Sequence, residues 1–305
     1  MLHHARLTLA TFYQWHRTRL LALTALIGLT LATLAALGLL RDLGWLTPPA
    51  ALSGTTSALL LIFLAALGCE YLDSSLGMGY GTTLTPLLLL AGYAPLQIVP
   101  AVLLSELVTG LAAGAMHHRD GNIDLRHDPA ARRTFGLLAL LSALGAIVAV
   151  MLAVKISAAW FSLLIALIIL GVGLLTLVTA RRQLRYHRGG ILTIGLIAAF
   201  NKGLSGGGYG PLVTAGQVVS GVPARQAVAI TSLAEALTCA VGLAAYVYFQ
   251  RGIEWSLTLP LMAGALLSVP LATATVRHLP ETAIRRGVGL FTLVLGALLL
   301  SRLWG

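Results

Sequence analysis

Two glycine-rich stretches hold the residues of this chain that are best suited to bind an anion. Residues 77–81 have the sequence GMGYG, and residues 206–210 have the sequence GGGYG. A helix start follows each stretch, at Thr82 and Thr83 in the first and at Pro211 in the second. The first turn of a helix offers free backbone N–H groups and the positive end of the helix dipole. Two such starts predict an anion site between them.

The two stretches belong to an internal duplication. A shift of 129 residues superimposes them and brings four further pairs of identical residues together. These pairs are Glu106 and Glu235, Gln97 and Gln226, Thr109 and Thr238, and Gly92 and Gly221. Each copy therefore combines a glycine turn with a long apolar segment that has one carboxylate near its middle. A charged acid at mid-bilayer costs about 2.5–3.5 kcal/mol, so we expect both acids to face the protein interior or water.

Small and polar residues accompany each of these glutamates at helical spacing, which predicts an inward-facing side on both segments. They are Ser105, Thr109 and Ala113 beside Glu106, and Thr231, Thr238 and Gly242 beside Glu235. Asn201 and Lys202 come just before the second turn. A buried amine there would help to hold an anion, and a lysine that extends to the membrane interface is the alternative. Asp73 has the matching position in the first copy.

The predicted substrate site lies at the membrane midplane between the two glycine turns. Its predicted residues are Gly77, Gly79, Tyr80, Gly81, Asn201, Lys202, Gly206, Gly207, Gly208, Tyr209, Gly210, Thr231 and Ser232. We predict Glu106 and Glu235 as proton-coupling or site carboxylates, because a low-dielectric surrounding and a bound anion both favour their neutral forms. A role for the two glutamates in helix packing is the alternative.

No metal, cofactor or catalytic residue is predicted. The histidines of the tail and loops have no carboxylate at ligand spacing, and Cys69 and Cys239 form no ligand or disulfide pattern. The serines and histidines suggest no nucleophile motif. An intramembrane enzyme that uses Glu106 and Glu235 as acid and base is a rival class. It would need a nucleophile or a metal that the sequence does not offer.

The composition places these residues in a membrane. The chain of 305 residues is 58% hydrophobic and 10% charged, whereas soluble domains have about 25% charged residues. Its net charge of +10 comes mainly from arginines that are grouped in a few short loops. Such a pattern does not favour a nucleic-acid partner, which would need one basic surface. The predicted fold class is an all-α polytopic membrane protein.

Apolar runs predict seven full spans of about 20 residues and two hairpins with short arms. The spans are 20–40, 95–116, 134–154, 158–178, 224–249, 256–276 and 286–303, and the hairpin arms are 57–71 with 82–94 and 191–204 with 211–221. Each copy is thus a re-entrant or broken helical hairpin plus three transmembrane helices. We predict a cytoplasmic tail with one extra, retained transmembrane helix (1–56), a first repeat (57–180) and a second, inverted repeat (181–305).

Arginine-rich loops predict the orientation, because cytoplasmic loops carry the excess of Lys and Arg. Loops 117–133 and 180–190 have four arginines each, and the tail before residue 20 has three. These arginine counts fit a single orientation when each hairpin enters and leaves the membrane on the same side. The two copies are then antiparallel, as in many secondary transporters. The N-terminus is then cytoplasmic and the C-terminus outside. If every hairpin arm crosses, the number of spans rises to eleven with the same orientation.

Four motifs give the chain a family resemblance. They are GMGYGTTLTP from Gly77, GGGYGP from Gly206, the Thr231 and Ser232 pair after Ala229, and the stretch GNID from Gly121 to Asp124. With these motifs the chain resembles the sulfite exporter TauE/SafE family of membrane permeases over residues 57–303. The resemblance implies export of sulfite, sulfoacetate or other organosulfonates across the bacterial cytoplasmic (inner) membrane.

The predicted function is therefore a secondary transporter that moves small sulfur-containing anions by alternating access at the midplane site. Its expected partners are the anion, the lipid bilayer and, where coupling occurs, protons. A passive anion channel of the same architecture is the main alternative, because sequence does not separate a channel from a transporter. The oligomeric state is not predicted.

Overall fold

A computed structural model of the chain describes residues 56–77, 79–125, 127–179, 188–219, 222, 224–250, 252–275 and 281–304. The predicted first span, residues 20–40, and the tail before it lie outside the described residues. Most of the predicted loop 180–190 lies outside them as well. The boundaries of the three predicted parts of the chain therefore stay predictions.

The described residues are almost entirely helical. Their helices are α1 (Thr56–Leu76), α2 (Tyr80–Leu90), α3 (Pro95–Arg119), α4 (Pro129–Ala153), α5 (Ala158–Thr179), α6 (Arg188–Ser205), α7 (Tyr209–Val219), α8 (Ala224–Gln250), α9 (Trp255–Thr275) and α10 (Glu281–Trp304). The all-α architecture predicted from the apolar runs is confirmed. Helices α1 to α5 cover the first predicted copy, and α6 to α10 cover the second.

Five of the described helices are long and apolar enough to cross a membrane. These candidate spans are Pro95–Arg119, Ala131–Ala153, Ala158–Val178, Arg225–Phe249 and Trp255–Thr273. They coincide with five of the seven predicted spans, and the chain is a multi-pass membrane protein. The last predicted span falls on α10, whose described apolar portion is Thr292–Ser301.

The predicted hairpins are helix pairs that break at the glycine turns. Helices α2 and α7 have 11 residues each, which is about 17 Å at 1.5 Å per residue. The hydrocarbon core of a bilayer is about 30 Å thick, so neither of these helices crosses it alone. The described residues of both turns are buried, and irregular backbone is tolerated at membrane depth where protein surrounds it.

Helix α1 is longer than the arm predicted for it, because it continues past Asp73 to Leu76. Its last turns contain acidic and hydroxyl side chains that bond within the helix. Ser74 Oγ donates to Glu70 Oε1 (2.6 Å), and Ser75 Oγ donates to the carbonyl oxygen of Tyr71 (2.6 Å). Buried polar groups that are hydrogen-bonded in this way do not force a helix to end.

The two copies pack through equivalent helices. Helix α1 packs against α9 of the other copy, and α6 packs against α4. Helix α3 crosses α8, and α5 pairs with α10. Glycines allow the close approach of α1 to α9 and of α6 to α4. A Cβ at Gly264 would overlap the backbone of Phe63, and a Cβ at Gly145 would lie 2.8 Å from the carbonyl oxygen of Leu196.

Two glutamines link the beginnings of helices from different copies. Gln226 Nε2, in the first turn of α8, donates to Asp128 Oδ2 (2.7 Å), and Asp128 Oδ1 caps α4 by accepting from the N–H of Ala131 (3.1 Å). Gln97 Nε2, in the first turn of α3, donates to Glu254 Oε2 (3.4 Å) directly before α9. Gln97 and Gln226 are a pair of the duplication, so the two copies make equivalent contacts.

Candidate functional site

A buried lysine lies between the two predicted glutamates. Lys202 Nζ of α6 forms an ion pair with Glu106 Oε2 of α3 and lies 2.7 Å from Glu235 Oε1 of α8. The exposed fraction is 0% for Lys202, 3% for Glu106 and 6% for Glu235. The lysine therefore does not extend to a membrane interface, and it joins the central helices of both copies.

The charges of this cluster do not cancel. Lys202 carries one positive charge, and Glu106 and Glu235 carry two negative charges when both are ionised. Breaking a buried ion pair by removing one partner costs about 3–5 kcal/mol, because a charge is left uncompensated. One lysine therefore balances the charge of only one of the two carboxylates.

A third buried glutamate, Glu70 of α1, is absent from the sequence-based site prediction. Its Oε1 accepts from Ser74 Oγ (2.6 Å) and its Oε2 accepts from Thr109 Oγ1 (3.2 Å) of α3. Its side chain is buried, and no Lys, Arg or His of the described ranges forms an ion pair with it. An acid inside an apolar run is a functional candidate by itself. A search for duplicated residues misses Glu70, because Ala199 stands in its place in the second copy.

A small cavity lies among α1, α3 and α8, next to the lysine cluster. Its volume is about 10 Å³, which is enough for about one water molecule. The carboxylates of Glu70, Asp73, Glu106 and Glu235 line it, together with Ser232. Glu106 Oε1 has no hydrogen-bond partner among the described residues. A space lined by four acids favours a proton or another cation over a free anion.

The two glycine turns pack directly against each other. A Cβ at Gly81 would overlap the carbonyl oxygen of Gly206, and a Cβ at Gly207 would overlap the backbone of Gly81 and Thr82. Only glycine permits such a close approach of two backbones. In this conformation there is no room for a substrate between Gly81 and Gly207.

Each hairpin places a threonine against the first glycine of the other turn. Gly77 and Gly206 both have positive φ, +69° and +72°, so a side chain at either would be strained. Thr214 Oγ1 lies 2.5 Å from the position of a Cβ at Gly77, and Thr85 Oγ1 lies 3.2 Å from that of a Cβ at Gly206. The shift of 129 residues relates the two glycines and also the two threonines. The two copies therefore place equivalent threonines against equivalent glycines.

An internal carboxylate already faces the helix start of the first copy. Asp73 Oδ1 accepts from the backbone N–H of Tyr80, the first residue of α2, at 3.4 Å. In the second copy the side-chain amide of Asn201 lies against Gly208, directly before α7. Negative charge is favourable at a helix N-terminus, so Asp73 takes a position that suits an external anion.

The tyrosines of the two turns are fully buried and bond to different helices. Tyr80 OH pairs with Ser105 Oγ of α3 (2.7 Å), and Tyr209 OH pairs with Ser142 Oγ of α4 (2.9 Å). Each hydroxyl therefore has a partner inside the protein. These contacts fix the glycine turns to the central and flanking helices.

Thr231 and Ser232 have separate surroundings although they are adjacent. Thr231 Oγ1 accepts from Thr214 Oγ1 and from Gln217 Nε2, both at 2.9 Å, and so connects α8 to α7. Ser232 Oγ donates to the carbonyl oxygen of Val228 (3.1 Å) and lines the cavity. Only Ser232 of this pair reaches the acidic cavity.

The structure brings only some of the predicted site residues together. Glu106, Glu235, Lys202 and Ser232 meet at the centre of the helix bundle, beside the cavity. Glycines of both turns lie at the contact between the two hairpins, whereas the tyrosines of the turns bond to α3 and α4. Thr231 bonds to α7, and Asn201 lies against Gly208. Within the part of the chain that the structure describes, no group of three or more His, Cys, Asp or Glu is arranged to hold a metal ion.

Charged residues buried at the centre of a multi-pass helix bundle are typical of membrane transport proteins. The family model of the sulfite exporter TauE/SafE matches residues 61–299, and the chain belongs to this family. It is similar to the probable membrane transporter protein YtnM of Bacillus subtilis (strain 168), with 27% identity over 259 residues, or 80% of this chain and 84% of that relative. No solved structure matches the chain. The family resemblance predicted from the glycine turns is confirmed.

Proposed function

We propose that this protein is a secondary transporter that exports a small sulfur-containing anion, such as sulfite, sulfoacetate or another organosulfonate. The membrane is the bacterial cytoplasmic membrane, the N-terminus is inside, and transport proceeds by alternating access without a catalytic step. The observation that carries the proposal is Lys202, a fully buried cation held between acids of both copies. The sulfur chemistry of the substrate follows the description of the family.

Lys202 gives the anion a partner and links its binding to a proton. An anion that pairs with Lys202 leaves Glu106 and Glu235 without their positive partner. A buried carboxylate without a partner is costly, so the glutamates take up a proton when the anion binds. Proton and anion then bind together, and release of one favours release of the other.

The contact between the glycine turns supports a site that opens and closes. Gly81 and Gly207 touch in this conformation, and Lys202 is inaccessible. A substrate at the midplane between the turns needs them to separate, and the contact belongs to both hairpins. We propose that the described conformation is occluded and that a movement of one copy against the other opens the site to each side in turn.

The helix contacts support an inverted relation between the copies. Gln97 contacts Glu254, so α3 and α9 begin at one end of the bundle. Gln226 contacts Asp128, so α8 and α4 begin at one end as well. Since α3 and α4 are consecutive spans joined by residues 120–128, they run in opposite directions. Helices α3 and α8 then also run in opposite directions, as an inverted repeat requires.

A flux assay in proteoliposomes tests the proposal. Vesicles that contain the purified protein are loaded with sulfite, sulfoacetate, taurine or sulfate, and efflux is measured under a fixed membrane potential. A transporter is expected to release its labelled substrate faster when unlabelled substrate is present on the opposite side, which a channel does not do. Protein-free vesicles and the Glu254→Gln variant, altered outside the lining of the cavity, are the controls. Absence of flux for every anion would contradict the proposal.

A further inference from the structure

Glu70 differs from the other buried glutamates because it has no positive partner. Glu106 and Glu235 share Lys202, whereas Glu70 is held only by the hydroxyls of Ser74 and Thr109. Neutral hydroxyl donors do not remove the cost of a full charge in a membrane interior. Of the three glutamates, Glu70 is therefore the one that most needs a proton when it is buried.

The groups that face Glu70 increase this need. Asp73 of its own helix, Glu106 of α3 and Glu235 of α8 line the same cavity and are acidic. Lys202 of α6 is bound by the two glutamates, and the buried Tyr80 of α2 pairs with a serine. Helix α9, which packs along α1, contains no titratable side chain. His117 of α3 lies against the backbone of Ser74, but no Lys, Arg or His of the described residues forms an ion pair with Glu70.

The cavity offers a route from Glu70 to the lysine cluster. Both Glu70 and Glu106 line it, and it has room for about one water molecule. Glu106 Oε1 is buried, belongs to a lining residue and has no partner among the described residues, while Oε2 is held by Lys202. This unpartnered, buried oxygen indicates where an arriving proton or water binds. The described acids are not arranged for a metal ion, which favours a proton as the cation.

We infer that this cavity is the proton site of the transporter and that Glu70 carries the coupling proton. The O–H bond of protonated Glu70 breaks, a single water in the cavity passes the proton on, and an O–H bond forms at Glu106 Oε1. The transfer follows the arrival of the substrate anion at Lys202, because the anion takes the positive partner away from Glu106 and so increases the need of Glu106 for a proton. This inference rests on the proposed function and adds to it a residue and a direction of proton movement.

The site exists on one side of the duplication only. The second copy has Ala199 and Lys202 where the first copy has Glu70 and Asp73. Helix α1 therefore supplies the proton carrier, Glu70, and helix α6 supplies the partner of the anion, Lys202. The Glu70→Gln substitution preserves the size of the side chain and one accepting oxygen, replaces the other oxygen by a donating amide group, and removes the ability to exchange a proton.

An infrared measurement without substrate tests the proton site directly. The spectrum of the purified protein in detergent is expected to contain the carbonyl band of a protonated carboxylic acid, with a component that Glu70→Gln removes and the control Glu254→Gln leaves. If Glu70→Gln does not fold, Glu70→Asp keeps the acid and is expected to displace this component. A band that neither substitution at Glu70 changes would overturn the inference and leave the proposed transport function standing.

A transport measurement tests the coupling separately. With one proton per anion, each unit of pH difference shifts the equilibrium distribution of sulfoacetate between vesicle and medium by about tenfold. We expect this shift for the wild type and for Glu254→Gln, and its loss for Glu70→Gln. A shift that persists in Glu70→Gln would overturn the inference alone. Absence of sulfoacetate, sulfite and taurine flux in the wild type would overturn the proposed function and the inference together.

Discussion

The arms α1 and α6 have equivalent positions in the two copies but opposite electrical roles. Position 73 in α1 is an aspartate, and its counterpart in α6 is Lys202. Position 70 is a glutamate, and its counterpart is Ala199. The duplication thus provides a symmetric scaffold, and two substitutions between the copies place acids on one side of the centre and a cation on the other.

The glycine turns show the contrasting case, in which the copies kept equivalent contacts. Thr214 lies against Gly77 as Thr85 lies against Gly206. The turns touch each other through backbone, where a side chain has no space. Symmetry is retained where the copies must fit together, and it is lost where charges must differ.

The largest loss of stability is expected when Lys202, the buried cation of α6, is replaced. In Lys202→Met, Glu106 and Glu235 lose their positive partner, so the free energy of unfolding should fall by about 3–5 kcal/mol. Thermal unfolding in detergent measures the loss. The control is a triple variant that adds Glu106→Gln and Glu235→Gln.

The triple variant separates stability from transport. It has no uncompensated buried charge, so its thermal stability should recover, while anion flux should stay absent because the cation is gone. A triple variant that transports as well as the wild type would show that the buried charges serve packing only. A Lys202→Met variant as stable as the wild type would contradict the ion pairs themselves.

A smaller loss of stability is expected for a substitution at the contact between the glycine turns. The Cβ of Gly81→Ala would overlap the carbonyl oxygen of Gly206, and overpacking of this kind costs about 1–3 kcal/mol. The matched control is Gly136→Ala in α4, where a Cβ meets no atom within 4 Å, and where alanine should gain about 1 kcal/mol in a helix. Melting temperatures of the two variants measure the difference. Equal melting temperatures would indicate that the turns do not touch.

The smallest change in stability is expected for the two equivalent threonines, Thr214 and Thr85. Thr214 Oγ1 bonds to the carbonyl oxygen of Gly77 and to Thr231, whereas Thr85 Oγ1 has no hydrogen-bond partner among the described residues. Thr214→Val should cost about 1 kcal/mol, and Thr85→Val should be neutral or stabilising. Denaturation of the two variants side by side provides the comparison. A larger loss for Thr85→Val would mean that the hydrogen bonds of the two copies are reversed.

Much of the fold and part of the site follow from repetition in the sequence. Apolar runs give the five candidate spans, and the shared shift identifies Glu106, Glu235 and the glycine turns. Lys202 follows from its position beside the second turn. These features are local patterns or patterns that occur twice, so one sequence is enough to find them.

The remaining part of the site depends on packing between distant segments. Glu70 meets Thr109, which lies 39 residues away in the chain, across α1 and α3. It has no counterpart in the second copy, so the duplication does not indicate it. The direct contact between Gly81 and Gly207 is equally a property of the assembled hairpins. A glycine run shows that close approach is permitted, and only the fold shows what approaches.

Labelling of a thiol at Ser232 tests the central claim, a site between the copies that opens to each side in turn. Ser232→Cys is introduced with Cys69 and Cys239 replaced by alanine, and a membrane-impermeant maleimide is applied to right-side-out and inside-out vesicles. We predict labelling from both sides, with sulfoacetate changing the two rates in opposite directions. Labelling from one side only, or equal changes on both sides, would contradict alternating access at this site.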